Sequence, residues 1–275
     1  MSHPDTIVTG LTFPEAPRCH EGALWLSDMH AHEVMRVTPG CAPERVATVP
    51  ACPSGLGFLP GGDALVVSMH DRRLLRITPT QTTQHADLTA LAPWHLNDMA
   101  VTAEGRAYVG NFGDASAPPD PPCPTVLVAV EPDGNARIVA DDLLFPNGIA
   151  ISGDGGTLIV AETRSNPGRL TAFTIMDDGD LADRRTLARF ADGEMPDGIA
   201  LDRTGRVWVA MPFSDEVVRV NLDGVPDRRL AIASPYAVCV GGADGEDLFV
   251  CTAPTWVPED AARLRGGAVH RFRLS

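Results

Sequence analysis

Six stretches of the chain repeat one phrase: an alternating apolar run, a turn holding glycine, a second alternating run, then a more polar gap. They read Ala16–Ser27 (APRCHEGALWLS), Gly55–Ser68 (GLGFLPGGDALVVS), Asp98–Gly110 (DMAVTAEGRAYVG), Gly148–Ala161 (GIAISGDGGTLIVA), Gly198–Ala210 (GIALDRTGRVWVA) and Ala237–Cys251 (AVCVGGADGEDLFVC). Period-two alternation marks a strand with one buried face, and two such runs about a glycine turn predict a hairpin. The expected turn glycines are Gly22, Gly62, Gly105, Gly156, Gly205 and Gly245, spaced by 40 to 51 residues. A further apolar run follows each hairpin, at Glu33–Thr38, Arg73–Thr78, Thr125–Val130, Gly168–Ile175, Glu216–Asn221 and Gly267–Leu274. That spacing holds four strands, which is the blade length of a β-propeller.

The pattern therefore predicts an all-β chain, a six-bladed β-propeller with four-stranded blades, forming a single domain over residues 1–275. The leftover run Asp5–Leu11 is expected to pair into the last blade, which closes the ring and covers two sheet edges. Asp114–Pro124 (DASAPPDPPCP) is too rich in Pro and Asp for a strand and is expected to be an exposed loop or lid within the third blade.

Composition agrees with many short strands, since 26 Gly and 24 Pro serve turns better than helices, and 44% hydrophobic residues over 275 positions support a sizeable core. A net charge of −14 repels polyanions, so nucleic acid and membrane surfaces are not expected as partners. Every basic side chain is Arg, which removes an amine nucleophile and with it Schiff-base chemistry. No apolar run approaches the ~18 residues of a membrane helix, and MSHPDTIVTG does not read as an export leader, so a cytoplasmic location is expected. The six cysteines, Cys19, Cys41, Cys52, Cys123, Cys239 and Cys251, form no CxxC pair, which predicts reduced thiols, three or four of them plain buried small apolar residues, and no zinc knuckle.

Alignment of the hairpins on their turn glycines places Glu15, Ser54, Asn97, Asn147, Asp197 and Tyr236 or Ala237 at one repeat position, just before the first strand. If that strand is innermost in each blade, these side chains meet at one mouth of the central channel. Two carboxylates and two amides there call for a hard divalent cation such as calcium, magnesium or manganese. A plainer account is that Asn147-Gly148 and Asp197-Gly198 form turns. Turn chemistry does not demand Glu15, nor Asn97 with no glycine after it, so recurrence in four blades favours a site. The second strands run back toward the same mouth and end near His30, His70, Asn111, Arg164, Met211 and Phe213. These are candidate wall residues, with Arg164 suited to a carboxylate and the histidines to proton transfer, unless they are solvated rim residues. No GxSxG phrase supports a nucleophilic serine.

The segments FPEAPRCHEGALWLSD, HLNDMAVTAEGRAYVGNFG, FPNGIAISGDGGTLIVAET and PDGIALDRTGRVWVA resemble the signature segments of the gluconolactonase, regucalcin and drug-responsive-lactonase family, over nearly the whole chain. The resemblance implies a six-bladed propeller with one divalent cation in its channel and lactone-opening activity. It implies Glu15, Asn147 and Asp197 as direct ligands, and Asn97 facing the metal or its bound water and the substrate. Calcium is the first expectation, with zinc, manganese, magnesium and iron as alternatives.

Two departures matter. Glu15-Ala16-Pro17 stands where the family has Glu-Gly-Pro. His95 stands where sugar-lactone members have Arg, two residues before the channel Asn, which points away from an aldonolactone. The expectation is a divalent-metal-dependent hydrolase of a lactone other than a sugar lactone, working as a monomer or homodimer on a small molecule. Asp197 is the expected general base, and His95, His30, His70, Asn111, Asn97 and Arg164 are the expected substrate contacts. The alternatives are another hydrolase, a lyase or isomerase in the same channel, or a non-catalytic binding propeller with structural calcium.

Overall fold

The computed structural model describes residues 4–117 and 119–274. The fold is a six-bladed β-propeller built from six four-stranded antiparallel sheets. The first blade holds strands Pro14–His20, Ala23–Asp28, Glu33–Val37 and Glu44–Thr48. The second holds Pro53–Phe58, Ala64–Ser68, Arg73–Ile77 and Thr82–Asp87. The third runs through Leu96–Val101, Ala107–Asn111, Thr125–Val130 and Ala136–Leu143. The fourth comprises Pro146–Ile151, Thr157–Glu162, Arg169–Ile175 and Leu181–Arg189. The fifth has Ile199–Leu201, Val207–Met211, Glu216–Val220 and Pro226–Ala231. In the sixth, Asp5–Leu11 forms one edge, followed by Gly267–Arg273, Asp247–Thr252 and Pro235–Gly241.

The chain forms two compact units, one running to Pro53 and resuming at Asp197, the other spanning Ser54–Pro196. Each unit holds three blades, with only Pro53, the first residue of the second blade, falling outside Ser54–Pro196. In the third blade burial falls from the first strand to the last: Leu96–Val101 is buried at all but its final residue, whereas Ala136–Leu143 is buried only at Leu143. The cores lie between successive sheets. Tyr108, Leu127 and Leu143 of the third blade pack on Ile149, Leu158 and Phe173 of the fourth. In the other unit Leu24 and Leu26 of the first blade meet Val8, Leu11 and Val269 of the sixth, and Trp208 and Leu230 of the fifth meet Leu248 and Phe272. Each such side chain taken fully from water contributes about 1.5–3 kcal/mol.

Two local features differ from the sequence expectation. The left-handed residue of the fourth-blade turn is Gly155 (φ 75°), not Gly156, because the Asp154 carboxylate accepts the Gly156 N–H at 3.0 Å and fixes the turn one residue earlier. A seven-residue helix, Pro258–Leu264, interrupts the β pattern, with Pro258 in its first turn and Glu259 and Asp260 favouring its N-terminus. Among the described residues no helix is long and apolar enough to cross a membrane.

Candidate active site

The repeat position singled out by the sequence coincides with a backbone irregularity. Antiparallel register slips between Glu15 and Arg18, between Leu96 and Met99, between Pro146 and Ile149, and between Pro235 and Ala237. Glu15, Asn97, Asn147 and Tyr236 therefore lie at or within bulges, which re-aim a side chain away from the regular pleat. Asp197 stands just ahead of the short strand Ile199–Leu201, and its N–H donates to Ala210 O at 2.9 Å. A signal absent from the hairpin alignment marks the same position: proline directly precedes Glu15, Ser54, Asn147, Asp197 and Tyr236, as Pro14, Pro53, Pro146, Pro196 and Pro235. Proline has no N–H to give to a ladder, which suits it to the start of a strand, and Pro14, Pro53, Pro146 and Pro235 each open a strand just ahead of these side chains.

Glycine after Ser54 and Asp197 answers to space rather than to a turn. Neither Gly55 nor Gly198 has a left-handed φ. A methyl on Gly55 would stand 2.5 Å from Met99 N, and one on Gly198 would stand 2.6 Å from Ala237 Cα. In each case the next blade's first strand runs against the glycine. Ala16 is the opposite case, a non-glycine held at φ 46°, which is why glycine suits the position it occupies.

In the Ser54–Pro196 unit, Ser54 Oγ donates to Asn97 Oδ1 at 3.3 Å, and Asn97 Nδ2 donates to Asn147 Oδ1 at 2.8 Å. Both amides are buried, with 6% and 7% exposure. Two residues earlier, just ahead of each strand, lie His95 and Phe145, which belong to an aromatic shelf. Trp94 stacks on His95 with centroids 4.7 Å apart, His70 lies 4.5 Å from His95, and Phe112 lies 4.3 Å from Phe145. Burial, then the neighbouring His70 and Arg72, hold His95 below the usual imidazole pKa, so the shelf carries an uncharged ring at neutral pH.

In the other unit, Glu15 is half-buried and accepts the Ala16 N–H at 3.1 Å, while Asp197 is 9% exposed. Both act on Tyr236, whose phenol is pushed up to about 12 by burial and then by Asp197, Glu15 and Asp215. Gly198 N–H donates to Tyr236 O at 2.9 Å, tying the Asp197 segment to that strand. Phe13 packs on Tyr236 at 4.5 Å and on His30 at 5.2 Å. The approach to Glu15 is fixed by buried Asp28, which accepts the Thr12 N–H at 2.9 Å, the Phe13 N–H at 2.9 Å and the Thr12 hydroxyl.

The second-strand candidates divide. His70 and His95 join the shelf, and His30 Nε2 lies 3.1 Å from Trp256 O. Asn111 is fully buried and serves its own blade: its Nδ2 donates to Val126 O at 2.8 Å, and its Oδ1 accepts from Thr125 Oγ1 and from Gly113 N–H at 3.0 Å. Arg164 binds the Asp114–Pro124 loop, donating to Ser116 O at 2.7 Å and to Asp120 O. It also lines a cavity of about 410 Å³ with Pro119, Thr163, Asp192, Glu194 and Met195. Thr163 Oγ1 donates to Pro196 O at 2.7 Å, holding the residue before Asp197 in the chain. Met211 is buried and Phe213 is 60% exposed. Tyr236, with Asp197 and Glu15 as acidic neighbours, is the site residue that the repeat pattern locates without assigning it a role.

Among the described residues, no group of three or more His, Cys, Asp and Glu side chains is gathered to hold a metal. The donors that each unit offers are carboxylate oxygens in one and amide oxygens in the other. An amide oxygen has two lone pairs, and that of Asn147 receives one hydrogen bond from Asn97. Hard oxygen donors of this kind fit calcium, magnesium or manganese better than a metal that favours sulfur or imidazole.

The chain is 29% identical over 131 residues to a 6-deoxy-6-sulfogluconolactonase of Pseudomonas putida, covering 46% of this chain and 44% of that protein. It is 24% identical over 251 residues to regucalcin of Xenopus laevis, covering 87% and 82%. The chain spans about half the length of several curated relatives it matches, 44% in the Pseudomonas case. A solved gluconolactonase of Xanthomonas campestris superimposes with a TM-score of 0.77 at 23% identity, covering 98% of this chain and 89% of that one, a likeness of fold. The family model described as SMP-30/Gluconolactonase/LRE-like region matches residues 13–254. With the match running through all six blades, the chain belongs to the SMP-30/gluconolactonase/LRE-like family.

Proposed function

We propose that this protein hydrolyses a lactone other than a sugar lactone with the help of one divalent cation, calcium first, held by Glu15, Asn97, Asn147 and Asp197. One observation carries the reading: a single repeat position, set off from the regular pleat, bears hard oxygen donors in four blades, two of them buried amides joined at 2.8 Å. Family membership supports the reaction class, since relatives of this chain are named as lactonases. Bound there, the cation would polarise the lactone carbonyl and acidify a water.

The chain's own groups supply the remainder. Asp197 takes the proton of the attacking water and returns it to the leaving alkoxide. Asn97, fixed by Ser54 and Asn147, steadies the water or the developing oxyanion. Tyr236 keeps its proton through the working pH range and so serves as a neutral donor beside Asp197. The substrate preference is supported by His95 and its shelf. A polyhydroxylated ring set against Trp94, His95, Phe112 and Phe145 buries hydroxyls against aromatic faces, at about 1–3 kcal/mol for each one left without a partner. An apolar ring substituent gains contact there instead.

The experiment is hydrolysis of sugar, aliphatic and aryl lactones, followed with a pH indicator, on chelator-stripped protein with single divalent metals added back. Activity restored by a hard cation, and higher on apolar lactones than on aldonolactones, is the expected result. Tight cation binding with no turnover on any lactone overturns the reading.

A further inference from the structure

Cys19 and Cys239 lie on the first strands of the first and sixth blades, Pro14–His20 and Pro235–Gly241, within one unit. Strand alternation puts Cys239 and Gly241 on the same face. A methyl on Gly241 would lie 2.2 Å from Cys19 Sγ and 2.7 Å from its Cβ, so Cys19 fills the space that this glycine leaves open. That brings its sulfur alongside Cys239, and the two side chains hydrogen-bond. Their surroundings differ, since Cys19 is exposed and Cys239 buried.

The chemistry of the pair is asymmetric in the same sense. The Cys239 thiol lowers the Cys19 pKa, burial opposes, the Gly242 N–H lowers it further and Asp247 opposes, with a net shift toward thiolate. Cys239 moves well up, through its bond to Cys19 and through burial. One sulfur is an accessible nucleophile and the other a protonated neighbour within reach.

We propose that Cys19 and Cys239 form a peroxide-oxidisable dithiol that closes into a disulfide joining the first strands of the first and sixth blades. The Cys19 thiolate attacks one oxygen of hydrogen peroxide and the O–O bond breaks. Cys19 becomes a sulfenic acid, and the departing hydroxide takes a proton to leave as water. The Cys239 sulfur then attacks the sulfenic sulfur, the S–S bond forms and the S–O bond breaks. The hydroxide released there takes the Cys239 proton and leaves as a second water. Two thiols are oxidised and one peroxide is reduced to two waters. The strand so clamped carries Glu15 four residues before Cys19, and its partner carries Tyr236.

The test treats the full chain with stoichiometric hydrogen peroxide, alkylates remaining thiols with N-ethylmaleimide and maps the cysteines by mass spectrometry. The expected product is an intramolecular Cys19–Cys239 cross-link, formed at least about tenfold faster than any loss of alkylation at Cys41 or Cys123, which are also exposed. In Cys239→Ser, and in Cys239→Ala should the serine variant fold poorly, Cys19 should be trapped as a sulfenic acid by dimedone, with no bridge. The proposal is overturned if wild-type Cys239 stays alkylatable after unfolding while Cys19 is oxidised. Loss of the Cys19 thiol no faster than that of Cys41, or bridges only between molecules, overturns it equally.

Discussion

Removing Arg169 tests how the fourth blade holds Asn147 in place. Glu162 ends the strand Thr157–Glu162 with no exposed surface, and its carboxylate accepts Arg169 Nε at 2.8 Å, Arg169 Nη2 at 2.6 Å, the Thr171 hydroxyl and the Leu144 N–H at 2.9 Å. Leu144 lies three residues before Asn147, so this carboxylate anchors the approach to the site, as Asp28 anchors the approach to Glu15. Burial raises the Glu162 pKa, but the bonds from Arg169, Thr171 and Leu144 outweigh it and leave the group below the usual carboxylate range.

Breaking a buried pair by removing one partner costs about 3–5 kcal/mol. Arg184 Nη2, 3.7 Å from Glu162 Oε1, remains in Arg169→Ala, which sets the expectation near the low end, about 3 kcal/mol. The pH dependence has opposite signs in the two proteins. In wild type the folded pKa is depressed, so the stabilisation is present above the unfolded value of about 4.3 and is lost as pH falls through the folded value. In Arg169→Ala burial prevails and the folded pKa rises above the unfolded one. The penalty is then full above that raised value and shrinks as pH falls toward about 4.3. Urea unfolding at about pH 7.5 and pH 4.5 should show a gap between the two proteins that narrows in acid, and Glu162→Gln added to Arg169→Ala should recover part of it. A gap below about 1 kcal/mol at pH 7.5, or one unchanged at pH 4.5, refutes the reasoning.

Much of this architecture is legible because a propeller repeats its instructions. Thr125–Val130 is a strand at the bounds the pattern gives, and the other third strands fall within a residue of theirs, since alternation and glycine turns are local signals. The roles at the ends of second strands are not local and are harder to read. Asn111 and Glu162 occupy one repeat position, yet each is spent on its own sheet, because a buried polar group must find partners and the nearest are side chains and backbone groups of the same blade, Thr125 and Val126 for Asn111, Arg169 and Thr171 for Glu162. Arg164 reads as a carboxylate receptor until the loop it holds is seen to fold back on it. The helix Pro258–Leu264 carried a usable signal, proline followed by two acidic residues, but seven residues are too few to stand out against a strand pattern. The proline ahead of five site positions was visible all along. It escapes an alignment centred on turn glycines because it marks where a first strand begins rather than where the chain turns.

Three further changes probe the site. Asp197→Asn should keep the wild-type melting curve and lower kcat by about 10²–10⁴-fold, the usual contribution of a general base, and a near-normal rate in metal-loaded protein removes Asp197 from that role. His95→Arg should raise kcat/KM on an aldonolactone relative to an aryl lactone by about 10–100-fold, the value of a hydrogen bond to a charged group, and an unchanged ratio means the shelf does not read the substrate. Gly198→Ala tests the claim that glycine after Asp197 serves close approach. The added methyl would meet Ala237 Cα at 2.6 Å, Ala237 Cβ at 2.9 Å and Tyr236 O at 3.0 Å, mostly backbone with no flexible side chain to yield. Overpacking of this kind costs about 1–3 kcal/mol and pushes Asp197 away from the Tyr236 strand, so stability and turnover should fall together. Gly153→Ala is the control, since nothing lies within 4 Å of its added methyl and its φ is not left-handed. It should be neutral or stabilising by about 0.4–1 kcal/mol through the unfolded chain alone. If the two variants melt together, the glycine after Asp197 is there for turn chemistry after all, and the close packing of first strands is not what holds Asp197 in position.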